Sequence, residues 1–83
     1  MIPSTLHLIR ECMQAALKLS DAEASTINET STPLEFPQWT SAAHLELLLS
    51  VEQRAGVMFE ADELGRLASV QAIGEALERK RSN

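Results

Sequence analysis

The chain has 83 residues, a formal net charge of −5 and a hydrophobic fraction of 45%. This length suits one small domain over residues 1–83, and this apolar content argues against a disordered chain. No apolar run approaches the roughly 20 residues that span a bilayer, and Arg10 and Glu11 break the N-terminal apolar pattern, so we expect neither a membrane protein nor a signal peptide.

Charge distribution and cysteine content limit the partners and the location. Residues 20–63 contain nine acids and one base, Arg54, which gives this section a net charge of −8. Such a surface repels the phosphate backbone of nucleic acid, so we expect basic protein surfaces as partners. The single cysteine, Cys12, cannot form an internal disulfide and fits a reducing compartment. We therefore expect a cytoplasmic protein, and a monomer.

A first helix is predicted over about residues 5–19. Ser4 is its expected cap, since serine side chains accept hydrogen bonds from the free N–H groups of a helix start. Apolar residues then recur at spacings of three and four, which places one face of the helix against a core. The residues of that face are Leu6, Ile9, Met13, Ala16 and Leu17.

Residues 20–40 are predicted to form a long loop, because Ser, Thr, Asp, Glu and two prolines dominate and no periodicity survives. Long loops in small domains tend to be functional or mobile segments. We expect Ile27, Leu34 and Phe36 to hold this loop to the core. Trp39 is expected to close the end of the helical bundle.

The second helix is predicted over residues 41–55, with Thr40 or Ser41 as its cap and Gly56 as its end. Its apolar residues are too many for one face. One side is expected to form a core stripe of His44, Leu47, Leu48, Val51 and Ala55.

Leu45 and Leu49 form a second row beside that stripe, four residues apart. We expect this row to be exposed, because a domain of this size buries only one broad face of a helix. Exposed leucines near Glu46 and Glu52 indicate a docking surface. The alternative is a wide core that buries every leucine of the helix.

Two further helices complete the predicted fold, a brief one over about residues 61–67 and a final one over residues 69–80. Ser69 is the expected cap of the final helix, and Gly74 is expected to mark a close approach of two helices. We thus predict an all-α fold, a small up-down bundle of three main helices plus one short helix, with a long loop between the first two.

Ser41 has the most distinctive chemical setting in the chain. It stands where the long loop meets the apolar second helix, in the stretch Trp-Thr-Ser-Ala-Ala-His at residues 39–44. Backbone N–H groups are free at a helix start, and the partial positive charge there favours a phosphate. Ser41 is therefore a suitable attachment point for a phosphate-linked group. A plain helix cap is the other interpretation.

From Ser41 to about Leu77 the sequence resembles the acyl carrier protein family without gaps. The matching features are Ser41, Leu45-Glu46-Leu47, Val51-Glu52, Phe59, Asp62-Glu63 and Ser69-Val70-Gln71-Ala72-Ile73. The local form Trp-x-Ser-x-Ala-His is similar to the Trp-Asp-Ser-Leu-x-His pattern of specialised carrier proteins. The resemblance implies that Ser41 carries 4′-phosphopantetheine as a covalent cofactor.

The resemblance also implies a function without catalysis. The chain would hold acyl or aminoacyl groups as thioesters and present them to separate enzymes, in a specialised biosynthetic pathway. The implied partners are a phosphopantetheinyl transferase and loading and processing enzymes with basic docking surfaces. The implied docking residues are Thr40, Leu45, Glu46, Leu49 and Glu52.

Two residues depart from the family pattern. Thr40 stands where the family usually has Asp, and Ala42 where it usually has Leu. The aspartate helps to engage the transferase and its metal, so Thr40 predicts either a dedicated transferase or a domain that is never loaded. The alternative function is a non-enzymatic, acidic helical interaction module that carries no prosthetic group.

Catalysis and metal binding are the weaker interpretations. His44 lies three residues after Ser41, but neither an evident acid partner nor the glycines of a nucleophile elbow accompany the pair. His44 is expected instead to pack beside a loop or to bond a backbone carbonyl. No metal site is predicted, because His7, Cys12 and His44 lack a converging ligand spacing.

Overall fold

A computed structural model describes residues 1–81, so the domain predicted over residues 1–83 is described as far as Arg81, and residues 82–83 lie outside the described part. Residues 1–81 form helices and no strand. The α-helices are α1 (Pro3–Leu17), α2 (Asp21–Ala24), α3 (Ser41–Ala55), α4 (Ala61–Leu64) and α5 (Val70–Arg81), with a 3₁₀ turn at Pro33–Glu35. Three of the helices are long. The predicted small all-α bundle is confirmed.

The first helix lies two residues nearer the N-terminus than the sequence predicted. Ile2, and not Ser4, is the residue before the helix, and no side chain caps it. Pro3 accounts for the early start, because its fixed φ angle is already helical and its missing N–H needs no partner in the first turn. The helix ends when Lys18 adopts a left-handed conformation with φ of 57°.

The segment from residue 20 to residue 40 is more ordered than the loop predicted for it. Ser20 and Glu23 exchange hydrogen bonds across the first turn of α2, since the Ser20 Oγ accepts from the Glu23 N–H at 3.1 Å and the Glu23 Oε1 accepts from the Ser20 N–H at 3.0 Å. This reciprocal capping stabilises a helix too short to show periodicity. The segment is tied to α1 by Arg10, whose Nε donates to the Ile27 carbonyl at 2.8 Å.

The apolar residues of this segment divide into buried and exposed ones. Ile27 and Phe36 are buried in the core, as predicted. Leu34 is 97% exposed, so its predicted role as a core anchor is wrong. It lies in the 3₁₀ turn at Pro33–Glu35, none of whose residues is buried. The prediction failed because it assigned every isolated apolar residue of the loop to the core.

The third helix has the bounds that the sequence predicted. Thr40 precedes it and Gly56 ends it in a left-handed conformation with φ of 69°. Leu47, Leu48 and Val51 are buried, whereas Leu45 and Leu49 are 57% and 50% exposed. The separation of the leucines into a core stripe and an exposed row is therefore confirmed, and the wide core that buries them all is not formed.

The C-terminal part of the chain departs from its prediction in detail. Helix α4 ends at Leu64 and is shorter than the predicted 61–67 segment. Helix α5 begins at Val70, and the Ser69 Oγ caps it by accepting from the Ala72 N–H at 3.1 Å, as expected. Gly74 is covered by the side chain of Met1, which a Cβ at this position would strike. The close approach predicted at Gly74 is thus made by Met1 and not by another helix.

The core forms where α1 packs against both α3 and α5. Its fully buried side chains include Ile9 and Met13 of α1, Leu47 of α3, and Ile73 of α5. The Val70 N–H donates to the Ser31 carbonyl and so joins α5 to the segment before α3. Arg54 of α3 pairs with Glu11 of α1 at 2.8 Å, which links two of the core helices. Among residues 1–81, no helix has the length and apolar character needed to cross a membrane.

Candidate functional site

Ser41 is the first residue of α3, and its side chain is exposed. The capping role falls to Thr40, whose Oγ1 accepts from the Ala43 N–H at 3.2 Å and whose carbonyl accepts from the His44 N–H at 2.8 Å. Within residues 1–81 the Ser41 hydroxyl forms no hydrogen bond. Of the two caps that the sequence left open, Thr40 is the one used, and the Ser41 hydroxyl is left accessible at the positive end of the helix.

A cleft of about 280 Å³ opens beside Ser41. It is lined by Pro33, Trp39, Thr40, Ser41, His44 and Ala68. These residues come from the 3₁₀ turn, the start of α3 and the turn before α5, so the cleft exists only in the folded chain. None of its lining side chains carries a fixed charge. Its volume lies just below the roughly 300 to 1,000 Å³ of sites that enclose a small molecule, so it suits a short, flexible group.

Trp39 and His44 form one wall of this cleft through a direct hydrogen bond. The Trp39 Nε1–H donates to the His44 Nδ1 at 2.8 Å, and the two ring centroids are 5.8 Å apart. Because Nδ1 accepts, the ring is neutral and carries its proton on Nε2. Burial lowers the pKa of His44, and a hydrogen bond with the backbone of Leu67 acts in the opposite direction. The backbone contact agrees with the role expected for His44.

The predicted docking residues lie on or next to α3. Thr40 and Glu46 are exposed, and the Leu45/Leu49 row presents two half-exposed leucines one turn apart. Glu52 is placed differently, because it is half-buried and its Oε2 accepts from the Phe59 N–H at 2.7 Å. That contact holds the connector after α3, so Glu52 has a structural task that the sequence did not indicate.

Exposed apolar side chains also lie beyond α3, where none was predicted. Met58, in the connector after α3, is 80% exposed, and Leu64 of α4 is 40% exposed. Three acids, Glu60, Asp62 and Glu63, lie between these two residues in the sequence. This segment thus combines exposed apolar side chains with acidic ones.

The geometry gives no support to catalysis by Ser41 and His44. The acceptor nitrogen of His44 is bonded to Trp39, and no hydrogen bond joins it to Ser41 within the described chain. Among residues 1–81 no group of three or more His, Cys, Asp or Glu side chains is arranged to hold a metal ion.

A second cleft, of about 470 Å³, is lined by Ile2, Thr5, Glu78 and Arg81. None of the residues singled out from the sequence lines it. The Ser41 cleft is therefore the one place in the described chain where the predicted attachment residue, its cap, the tryptophan and the histidine meet.

Pro33 and Ala68 were not predicted as lining residues. Pro33 lies eight residues before Ser41 and Ala68 lies 27 residues after it, and neither side chain has a functional group that would indicate a role. The Trp39–His44 bond had a signal that was not used: an indole N–H just before a helix needs an acceptor when it is buried, and a histidine in the following turn supplies one. Comparison with models of known protein families and with curated proteins finds no match for this chain.

Proposed function

We propose that the protein is an acyl or aminoacyl carrier whose attachment residue is Ser41. The observation that carries this proposal is the accessible hydroxyl of Ser41 at the start of α3. Because Thr40 caps the helix, this hydroxyl is not used as a cap. The Ser41 side chain forms no hydrogen bond within residues 1–81, and it lies next to free backbone N–H groups at the mouth of an uncharged cleft. A serine in this position is suited to hold a phosphodiester.

The residues around Ser41 are compatible in charge with 4′-phosphopantetheine. The phosphate would be attached to the Ser41 Oγ, near the partial positive charge of the helix start. The cleft wall formed by Trp39, His44 and Ala68 is uncharged and would accept the neutral part of the arm. When bound, the group supplies a terminal thiol that holds cargo as a thioester. The protein's own residues then bind and present, and they perform no bond-breaking step on the cargo.

The surface on α3 fits the partners that a carrier needs. The Leu45/Leu49 row offers apolar area, and Glu46 lies exposed beside it. The negative charge of residues 20–63 would attract enzymes with basic docking surfaces and raise their rate of encounter. Because Ser41 begins the same helix, docking on this row brings a partner close to the attachment point.

One observation favours a second candidate function. Thr40 fills the cap without the negative charge that a transferase and its metal would engage. An acidic helical interaction module without a prosthetic group would use the same exposed row and needs no modification of Ser41.

Intact-mass measurement separates the two functions. The protein is incubated with coenzyme A, magnesium and a broad-specificity phosphopantetheinyl transferase. The carrier function predicts a mass gain of one phosphopantetheine that disappears in Ser41→Ala. Ser4→Ala is the matched control, because Ser4 is also an exposed serine in the first turn of a long helix, and it should leave the gain intact.

A negative result with this transferase calls for the mass of the protein isolated from its native host. The same mass gain there would indicate a dedicated transferase. An unmodified Ser41 in both experiments would contradict the carrier function and support the interaction module.

A further inference from the structure

The Trp39–His44 hydrogen bond spans the point at which Ser41 begins α3. Trp39 lies two residues before Ser41 and is 6% exposed, and His44 lies three residues after it. The Nε1 to Nδ1 distance is 2.8 Å, and both rings line the cleft onto which Ser41 opens. The bond therefore closes a ring of residues around the attachment serine and fixes the wall next to it.

This bond requires a neutral histidine. Nδ1 can accept a hydrogen bond from the indole N–H only while it carries no proton. In a protonated ring the Nδ1–H is itself a donor and would face the Trp39 N–H, which is also a donor. Protonation of His44 thus removes the bond and leaves the buried indole N–H without its acceptor.

The surroundings of His44 favour the neutral form. His44 contacts the Trp39 ring and the backbone of Leu67, and Pro33 and Ala68 line the same cleft. None of these residues is charged, and within residues 1–81 the influences on the His44 pKa are burial and the Leu67 backbone, without a carboxylate that would favour an imidazolium. Burial accordingly lowers the pKa of His44.

We propose that His44 is a positioning residue for Ser41: in its neutral form it holds the Trp39 indole against the first turn of α3 and so sets the wall of the cleft that Ser41 lines and along which its arm would be seated. This role rests on the proposed carrier function. It adds that presentation of Ser41 depends on the protonation state of a residue that does not itself react.

The first test follows the Trp39–His44 bond without reference to loading. Trp39 is the single tryptophan of the chain, so its indole N–H gives one NMR resonance. That resonance should shift as pH falls, with the same midpoint as the ring protons of His44. In His44→Asn the amide oxygen can take the position of Nδ1 and accept from the indole, and the shift with pH should vanish. His7→Asn is the matched control, because His7 is solvent-exposed, and it should leave the shift unchanged.

The second test measures presentation of Ser41. The rate of modification by the transferase is compared for wild type, His44→Asn and His44→Leu, and wild-type rates are divided by His44→Asn rates at each pH to cancel the pH dependence of the transferase. The ratio should fall by about two- to tenfold as His44 becomes protonated, the range expected for one net hydrogen bond. His44→Leu should be slow at every pH, and the Asn variant should restore the rate near neutral pH.

Each outcome decides a different claim. An indole resonance that does not follow the titration of His44, or His44→Leu loaded as fast as wild type, would overturn the positioning role while leaving the carrier function standing. No loading of wild type at any pH, in the reaction or in the native host, would overturn the carrier function and the positioning role with it.

Discussion

At the scale of single residues, the site depends on different roles of two neighbouring hydroxyls: Thr40 caps α3, and Ser41 does not. Thr40 satisfies the Ala43 N–H through its Oγ1, and this frees the neighbouring hydroxyl. A side-chain cap contributes about 1 kcal/mol to helix stability, so Thr40→Ala should lower the free energy of unfolding by about that amount without removing Ser41. The sequence predicted a cap at one of the two positions but not which, because both side chains have the same chemistry.

Replacing Thr40 by Asp should accelerate modification of Ser41. Aspartate caps a helix as well as threonine and adds a negative charge that a transferase and its metal can engage. Thr40→Asn is the matched control, since it caps the helix without charge and should load at the wild-type rate. A time course of intact mass checks this, and equal rates for the Asp and Asn variants would show that charge at this position has no effect on the transferase.

The pKa of His44 predicts how stability depends on pH. Burial lowers this pKa below its ordinary value of 6.5, so the unfolded chain binds the proton more readily than the folded chain. The contribution of His44 to the free energy of unfolding is fully present above pH 6.5. It declines as the pH falls from there towards the lowered pKa of the folded state, and below that pKa it changes no further. Urea unfolding at a series of pH values should show that the free energy of unfolding declines more steeply in wild type than in His44→Asn. Parallel curves for the two proteins would contradict the assignment.

At the scale of helices, local signals explain what the sequence predicted and what it missed. The bounds of α3 followed from a cap, an apolar pattern and Gly56, all of which lie within the helix or next to it. Helix α2 was missed because four residues show no periodicity, although the Ser20 to Glu23 spacing is the signature of its reciprocal cap. The exposure of Leu34 had no such signal, because it depends on how the 3₁₀ turn is oriented on the core.

The two rows of leucine on α3 give a matched pair of substitutions. Leu48 is 4% exposed and Leu49 is 50% exposed, although they are adjacent in sequence. Leu48→Ala should cost about 2 to 5 kcal/mol of unfolding free energy, as expected for a buried leucine. Leu49→Ala should change it by no more than about 0.5 kcal/mol and instead weaken use by partner enzymes. Denaturant unfolding and partner kinetics on both variants check this, and a large stability loss in Leu49→Ala would place that side chain in the core.

At the scale of the whole molecule, folding forms the Ser41 cleft and leaves acidic side chains exposed on the surface. Pro33 and Ala68 reach the Ser41 cleft only because the segments before α3 and before α5 meet at one end of that helix. No periodicity or motif encodes that meeting, so the sequence singled out Ser41, Trp39 and His44 but not Pro33 and Ala68 as residues of one cleft. The acidity, by contrast, was fully readable from composition, since the exposed acids remain on the surface after folding.

The charge predicts a salt dependence of partner association. Between about 0.01 M and 0.15 M ionic strength the screening length falls from about 30 Å to about 8 Å, which weakens steering between exposed charges. The kcat/KM of a partner enzyme with a basic surface should therefore fall across this range. Glu46→Gln should reduce the slope, and Glu75→Gln is a control that should not, because Glu75 is an exposed acid on a different helix, α5. Equal slopes of kcat/KM against ionic strength in wild type and both variants would show that Glu46 on α3 does not contribute to partner association.

The most direct measurement is the mass of residues 19–54, the tryptic fragment that contains Ser41, after treatment with coenzyme A, magnesium and the transferase. Loading at Ser41 predicts one phosphopantetheine on this fragment in wild type and in Ser4→Ala, and none in Ser41→Ala. An unmodified fragment, both after this treatment and in protein taken from the native host, would contradict the carrier function. Modification that persists in Ser41→Ala would contradict the assignment of the site.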